Sequence, residues 1–274
     1  MPLNRFGPLM AALVVSVTLA ACGTRVTELD FEEGPADQLY NEGLVLMNAG
    51  DYRTAVAKFE EVDRLHPHTE FGRKSQVMLA FASYSRGNYI DSIQSARRFL
   101  ALHPNHEDAA YAQYLIAMSY YRQIPDVTRD QSDTRQAMDE FEKLIETYPE
   151  SEYVPEARRR LIAAQDQLAG KEMEVGRYYL ERDDNAAAVN RFRNVVENYQ
   201  QTRHVEEALF RLTESYYAMG LTQEAQTAAA VLGHNFPDSR WYRSAYSLLQ
   251  TGGFEPSESR GSWISRAFEN FKLL

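Results

Sequence analysis

The single cysteine of this 274-residue chain, Cys22, follows Leu19-Ala20-Ala21. Small residues there are what a lipoprotein signal peptidase needs to cut before a cysteine whose thiol has been diacylglycerylated. Thirteen uncharged residues, Leu9 to Ala21, precede the cysteine, with Arg5 upstream. That run is too short for a bilayer span, which needs about 20 residues, and matches the apolar stretch of an export signal. Residues 1–21 are therefore expected to be a lipoprotein signal peptide, and residues 22–35, polar and acidic, an acylated tether. Acyl chains stabilise membrane attachment by roughly 0.8 kcal/mol per buried methylene, so two or three anchor a protein without spanning. Gly23 stands where an Asp usually retains a bacterial lipoprotein in the inner membrane, which favours the outer membrane.

The remaining reactive side chains form no comparable pattern. His66-Pro67-His68 and His103-Pro104-Asn105-His106 have scattered carboxylates around them and no free cysteine, so they read as loop histidines and no metal site is expected. Asp139, Glu140 and Glu142 share a helical stretch with Lys143 and Glu146, the pattern of a solvated face. There is no Gly-x-Ser-x-Gly elbow, glycine-rich phosphate loop or His-Glu-x-x-His, so neither catalysis nor a cofactor is expected. A net charge of −10 argues against nucleic acid, which demands a clustered basic surface. One cysteine excludes an intramolecular disulfide framework, and 14 Gly with 10 Pro are too few for a turn-rich all-β chain.

What must position any binding residues is a repeat. Pro67, Pro104, Pro149 and Pro237 each close a helical pattern, and Gln200 takes the place of a fifth. Twelve residues before these positions stand Ala55, Ser92, Ala137, Ala188 and Ala225; eight before, Phe59, Ala96, Phe141, Phe192 and Ala229; five before, Val62, Phe99, Leu144, Val195 and Leu232. These offsets share one helical face. Further upstream, small residues recur at Gly43, Ala80, Ala117, Gly176 and Thr213, with turn residues between at Gly50, Gly87, Asp183 and Gly220. The pattern resembles the tetratricopeptide repeat. The expected fold is all-α, a superhelical solenoid of five helix pairs. Three pairs occupy residues 36–154 and two occupy 155–250. The third pair carries a surface-loop insertion, about Ile124 to Asp133, and the fourth opens with a long helix from about Pro155 to Arg182. Residues 251–274 read as an amphipathic tail in which Trp263, Ile264, Ala267, Phe268, Phe271 and Leu274 share a face. Packing back on the last repeat and docking to a partner fit that face equally.

The likeness narrows in the middle of the chain. The string Leu168-Ala169-Gly170-Lys171-Glu172-Met173-Glu174-Val175-Gly176-Arg177-Tyr178-Tyr179-Leu180-Glu181-Arg182, followed by Ala188-Val189-Asn190-Arg191-Phe192, resembles the BamD family of outer-membrane β-barrel assembly lipoproteins. The resemblance implies a scaffold on the periplasmic face of the outer membrane. Its implied partners are a POTRA domain of BamA and unfolded β-barrel outer-membrane proteins, with other assembly lipoproteins as further candidates. It places BamA on the C-terminal repeats and substrate on the N-terminal ones. Arg191 matches a family position whose cation pairs with a POTRA acid, and Glu172 and Tyr178 stand beside it in the recognised string. Arg53 matches a position implicated in substrate contact.

Charge and aromaticity add Tyr84, Arg97 and Arg98 to the substrate candidates. Residues 70–104 carry a net +3 between segments of −3 (36–69) and −6 (105–150), a cationic band able to hold a peptide carboxylate. The family's Tyr-Pro after the first repeat is His66-Pro67 here, so a stacking role for that Tyr does not carry over. The alternative reading is another periplasmic tetratricopeptide lipoprotein, of pilus assembly or envelope constriction, which would lack the string from Leu168 to Arg191.

Overall fold

The computed structural model describes residues 35–269. The expected signal peptide, Cys22, nearly all of the tether, and Phe271 and Leu274 of the tail lie outside the described residues.

Five antiparallel helix pairs follow one another: α1 (Ala36–Asn48) with α2 (Tyr52–Leu65), α3 (Glu70–Ser85) with α4 (Tyr89–Leu102), α5 (Ala109–Tyr121) with α6 (Ser132–Thr147), α7 (Val154–Leu180) with α8 (Asn185–Asn198), and α9 (Val205–Ala218) with α10 (Thr222–Asn235). Two further helices close the chain, α11 (Arg240–Thr251) and α12 (Trp263–Phe268). Among the described residues there is no strand.

The turns explain why each pair closes so tightly. Gly50, Gly87 and Gly220 sit at φ 78°, 81° and 75°, and Asp183 takes the same left-handed place at 59°; aspartate is one of the few residues that tolerate it. The next residue then caps the second helix in three of the four turns: the carboxylates of Asp51 and Asp184 and the amide oxygen of Asn88 accept from the backbone N–H three residues on.

Within each pair, the recurring small residue lets the helices meet. A Cβ at Gly43 would stand 2.6 Å from the Phe59 ring, and one at Gly176 2.4 Å from Phe192. Where the opposing residue is alanine, as at Ala96 and Ala229, the first helix carries a β-carbon, Ala80 or Thr213. Four of the five pairs thus trade size across the contact, as dense packing favours, and the third sets Phe141 against Ala117.

Each helix packs on its chain neighbours, and first helices also touch across pairs: α1 with α3, α3 with α5, α5 with α7. Between α2 and α4 and between α4 and α6 the backbones stay further apart and only long side chains bridge them. First helices therefore line the tighter, inner face of the curve, and second helices splay on the outside, leaving clefts. The insertion before α6 docks on the long helix. Gln167 Nε2 donates to the Pro125 carbonyl at 2.9 Å, and Lys171 Nζ to that of Thr128 at 3.2 Å. Gly170 brings α7 within reach of Val127. The expected surface loop is thus a brace, because its freed carbonyls find donors on α7.

The tail folds back. Residues 255–268 cross α8, α9 and α10, and Ile264 is fully buried there. Gln200 Nε2 donates to the Ala267 carbonyl at 2.7 Å and Trp263 Nε1 to Tyr216 Oη at 3.2 Å. The Arg193 guanidinium lies 4.7 Å from the centroid of the Trp263 ring, a cation–π contact.

Candidate functional site

The candidate residues fall on two surfaces, one on each half. On the inner face of the first three pairs, aromatic rings from successive first helices run in series. Phe81 of α3 meets Tyr111 of α5 at 6.1 Å between centroids, Tyr111 meets Tyr153 at 5.2 Å, and Tyr153 stacks on Tyr114 at 5.1 Å. Burial raises the phenol pKa values of Tyr111, Tyr114 and Tyr153, so these rings stay neutral as hydrogen-bonding platforms. Two cations flank them. Arg122 Nε donates to Tyr84 Oη at 3.0 Å, and Arg160 covers the Tyr121 ring at 5.1 Å while pairing with Glu156. Arg122 is exposed and has no carboxylate partner among the described residues.

Tyr84 belongs to this surface; the other three sequence candidates do not converge on it. Arg53, exposed near the start of α2, has no partner among the described residues. Arg97 and Arg98 are adjacent on α4 and reach in opposite directions. Arg98 Nη1 meets the buried Asp63 carboxylate of α2 at 3.0 Å. Arg97 Nη2 meets the buried Glu140 carboxylate of α6 at 2.7 Å and also donates to Tyr120. The Glu140 contact raises the Arg97 pKa further. Two buried glutamines complete the scheme: Gln76 donates to Asp63 at 2.7 Å and Gln113 to Glu140 at 2.8 Å. The positive second repeat between acidic neighbours thus works as an ionic staple joining three pairs. Lys74 and Arg86 pair with Glu70 and Asp91 within the band, and Arg73 donates to the His68 carbonyl just before it. Sequence reading missed Tyr111, Tyr114, Tyr153 and Arg122. Aromatics at 111 and 114, three apart on one helix with an arginine at that helix's end about two turns beyond, were the available signal.

On the second half, Arg191 of α8 and Glu172 of α7 meet at 3.3 Å, with both side chains partly exposed. They line a cleft of about 260 Å³ with Tyr179, Asn190 and Asn194. Tyr178, half exposed, is outside the lining but packs edge-on against the lining Tyr179 at 5.7 Å between centroids, with the Arg182 guanidinium 3.6 Å from its own ring centroid. The structure therefore brings Arg191 and Glu172 together and places Tyr178 at the cleft's edge, behind Tyr179.

Of the histidines, His106 lies with Glu107 and Asp108 close enough to share an ion. Its Nδ1, however, accepts from the Asp108 backbone N–H at 3.2 Å, a turn contact that explains the arrangement. Of the acidic trio, Glu140 is committed to the staple. The Glu142 carboxyl is raised by partial burial and by Asp139 and Glu146. Among the described residues no helix is long and apolar enough to cross a membrane.

A solenoid of helix pairs closed by small-residue contacts and left-handed turns defines a helical-repeat protein of the tetratricopeptide type. A family described as outer membrane lipoprotein matches residues 32–232. The outer membrane protein assembly factor BamD of Caulobacter vibrioides is 42% identical over 250 residues, 90% of this chain and 82% of that protein. The factor of the same name from Rickettsia prowazekii is 39% identical over 242 residues, 88% and 96% of the two chains. The chain belongs to the BamD family of outer membrane lipoproteins. Among solved structures, the TPR2AB domain of yeast Sti1 in complex with pHSP90 has a TM-score of 0.42 at 13% identity, covering 79% of this chain and 84% of that one.

Proposed function

We propose that this protein is a lipid-anchored, non-catalytic scaffold of the machinery that assembles β-barrel proteins in the outer membrane, held on the periplasmic face through Cys22. The observation that carries the reading is the 42% identity to an assembly factor along 90% of the chain, through both surfaces described above. The division of labour follows the two halves. The α7–α8 cleft takes the POTRA domain of BamA, whose carboxylate displaces Glu172 from Arg191; the guanidinium fork accepts a carboxylate in two parallel hydrogen bonds. Pairs one to three take an unfolded barrel segment along the face of Tyr84, Tyr111, Tyr114 and Tyr153. Aromatic side chains of the segment stack there, and Arg122 meets a carboxylate. Arg53 lies at the outer end of this half.

Copurification from solubilised outer membranes tests the scaffold. BamA is expected to accompany the wild-type protein and to be lost with Arg191→Glu. Unchanged recovery would remove Arg191 from the interface, and absence of BamA from the wild-type preparation would overturn the reading. Photo-crosslinking from position 114 to a barrel's C-terminal peptide should exceed that from 178. The reverse would move the substrate surface. Cys22→Ser should release the protein from membranes.

A further inference from the structure

The cleft that the tail fills between α8 and α10 has an open counterpart between α2 and α4. The repeat maps one onto the other residue by residue, counting from Pro67 and Gln200 at the ends of α2 and α8 and from Pro104 and Pro237 at the ends of α4 and α10. In the filled cleft, α9 forms the floor with Leu212 and Tyr216. Arg193 of α8 stacks on Trp263, and Thr227 Oγ1 of α10 accepts from the Ser259 backbone N–H at 3.3 Å. In the open cleft the equivalents are Leu79 and Ser83 on α3, Glu60 on α2 and Gln94 on α4, and all four line a space of about 660 Å³.

Three differences define what would fit. Tyr216 has its counterparts in Tyr120 and Tyr179, but the second pair carries Ser83, and the missing ring opens the floor. Ser83 is 1% exposed, so a short, sunken side chain stands where the filled cleft has a ring. The apolar wall of the filled cleft, Val196 and Val231, becomes the ion pair of Asp63 and Arg98, so an apolar helix like α12 would desolvate charge without compensation. Finally, Glu60, exposed and without a partner among the described residues, stands where Arg193 holds an aromatic ring.

We infer that the α2–α4 cleft binds in trans a short peptide turn and helix from another protein, polar where α12 is apolar and carrying a lysine or arginine opposite Glu60. Its backbone N–H groups meet Gln94 as those of Ser257 and Ser259 meet α10. The occupant is a cationic peptide because, of the charged side chains lining the cleft, Asp63 is paired with Arg98 and Asp91 with Arg86, Arg64 is itself engaged, and Glu60 is left without a partner among the described residues. This site lies on the outer, second-helix side and is independent of the aromatic inner face and of Arg191.

The test uses the full mature protein and a displayed peptide library built on residues 255–268 of this chain, randomised at 263, 264, 267 and 268. Binders to the wild type are expected to carry Lys or Arg at position 263, enriched at least about tenfold over the parent sequence. Ser83→Tyr, which restores the ring that three other pairs have, should weaken the selected peptides about tenfold or more. If that variant does not fold, Glu60→Arg on the exposed helix surface carries the test, and should invert the preference to Asp or Glu. Binders indifferent to both variants, or no binder at all, would overturn the inference. So would recovery of the parent Trp263–Phe268 sequence, which would assign the cleft to the tail of a second copy.

Discussion

The two halves of the solenoid are built on the same repeat and have different interiors. From Ala169 to Phe268 a single buried apolar cluster runs through α7 to α12. The first three pairs hold three separate clusters, around Phe59, around Phe99 and around Phe141. The break has a chemical cause. Val196, Ala228 and Val231 in the second half correspond to Asp63, Ser95 and Arg98 in the first, where a charged pair and a buried glutamine join the repeats. Repeat proteins are stable by the sum of unit and interface terms. Apolar continuity makes the second half one platform, suited to holding a fixed partner. Polar staples let the first half keep a cleft between α2 and α4.

The strongest way to break this contrast is to cut a large side chain from each half. Phe192 and Phe99 are both fully buried. Either change to alanine should cost about 3–5 kcal/mol of unfolding free energy. The difference lies in how the loss spreads. Hydrogen exchange in Phe192→Ala should speed from α7 through α12, and in Phe99→Ala only in α3 to α5. A Phe192→Ala effect confined to α7 and α8 would show that the continuous cluster is not one cooperative unit. Next in size, Ile264→Ala should cost about 2–4 kcal/mol, since this fully buried side chain seals the cluster from outside. Its loss should also release Trp263 fluorescence toward that of an exposed indole. An unchanged midpoint in urea would mean that α12 contributes nothing to the platform.

A third change sharpens the comparison from the polar side. Asp63→Ala leaves the Gln76 amide and the Arg98 guanidinium without their acceptor and should cost about 1–3 kcal/mol. Replacing both charges, Asp63→Val with Arg98→Val, imports the second half's residues and should come out near neutral. That double variant should couple the exchange of α2 and α4, and independent exchange would refute the assigned cause.

Much of this was legible before any coordinates. Small residues at fixed offsets, turn glycines and the long stretch after Pro155 are local signals, and the five pairs and α7 follow them to within a residue or two. Arg97 and Arg98 were visible as a basic band, but their partners sit 43 residues ahead and 35 behind. A windowed charge count registers the excess and cannot pair it. The brace on α7 escaped for the same reason: its donors, Gln167 and Lys171, lie some forty residues beyond the carbonyls they satisfy. Arg191 was identified from a family string, and its contact with Glu172 needed the geometry of two helices.

The smallest expected effect distinguishes the halves by pH. His204 opens α9 at the seam with α7, mostly buried, with its Nε2 3.8 Å from Asp166 and 3.3 Å from where a Cβ on Gly170 would stand. Burial lowers its pKa, outweighing the opposing pull of Asp166 and Glu207, while Arg203 and Arg177 push in the same direction as burial. The folded state therefore binds a proton less readily than the unfolded one. This stability is present above the unfolded value of about 6.5 and is lost as pH falls through the lower folded value. The seam between α7 and α9 should loosen as pH falls below about 6.5. Exchange at the start of α9, corrected for its intrinsic pH dependence, should rise there, and His204→Gln should flatten the change. His103, also lowered by burial, caps α4 beside Phe99 and His106, so its own response should stay within α3 to α5. A pH response of α9 that survives His204→Gln would place the sensitive group elsewhere on the platform.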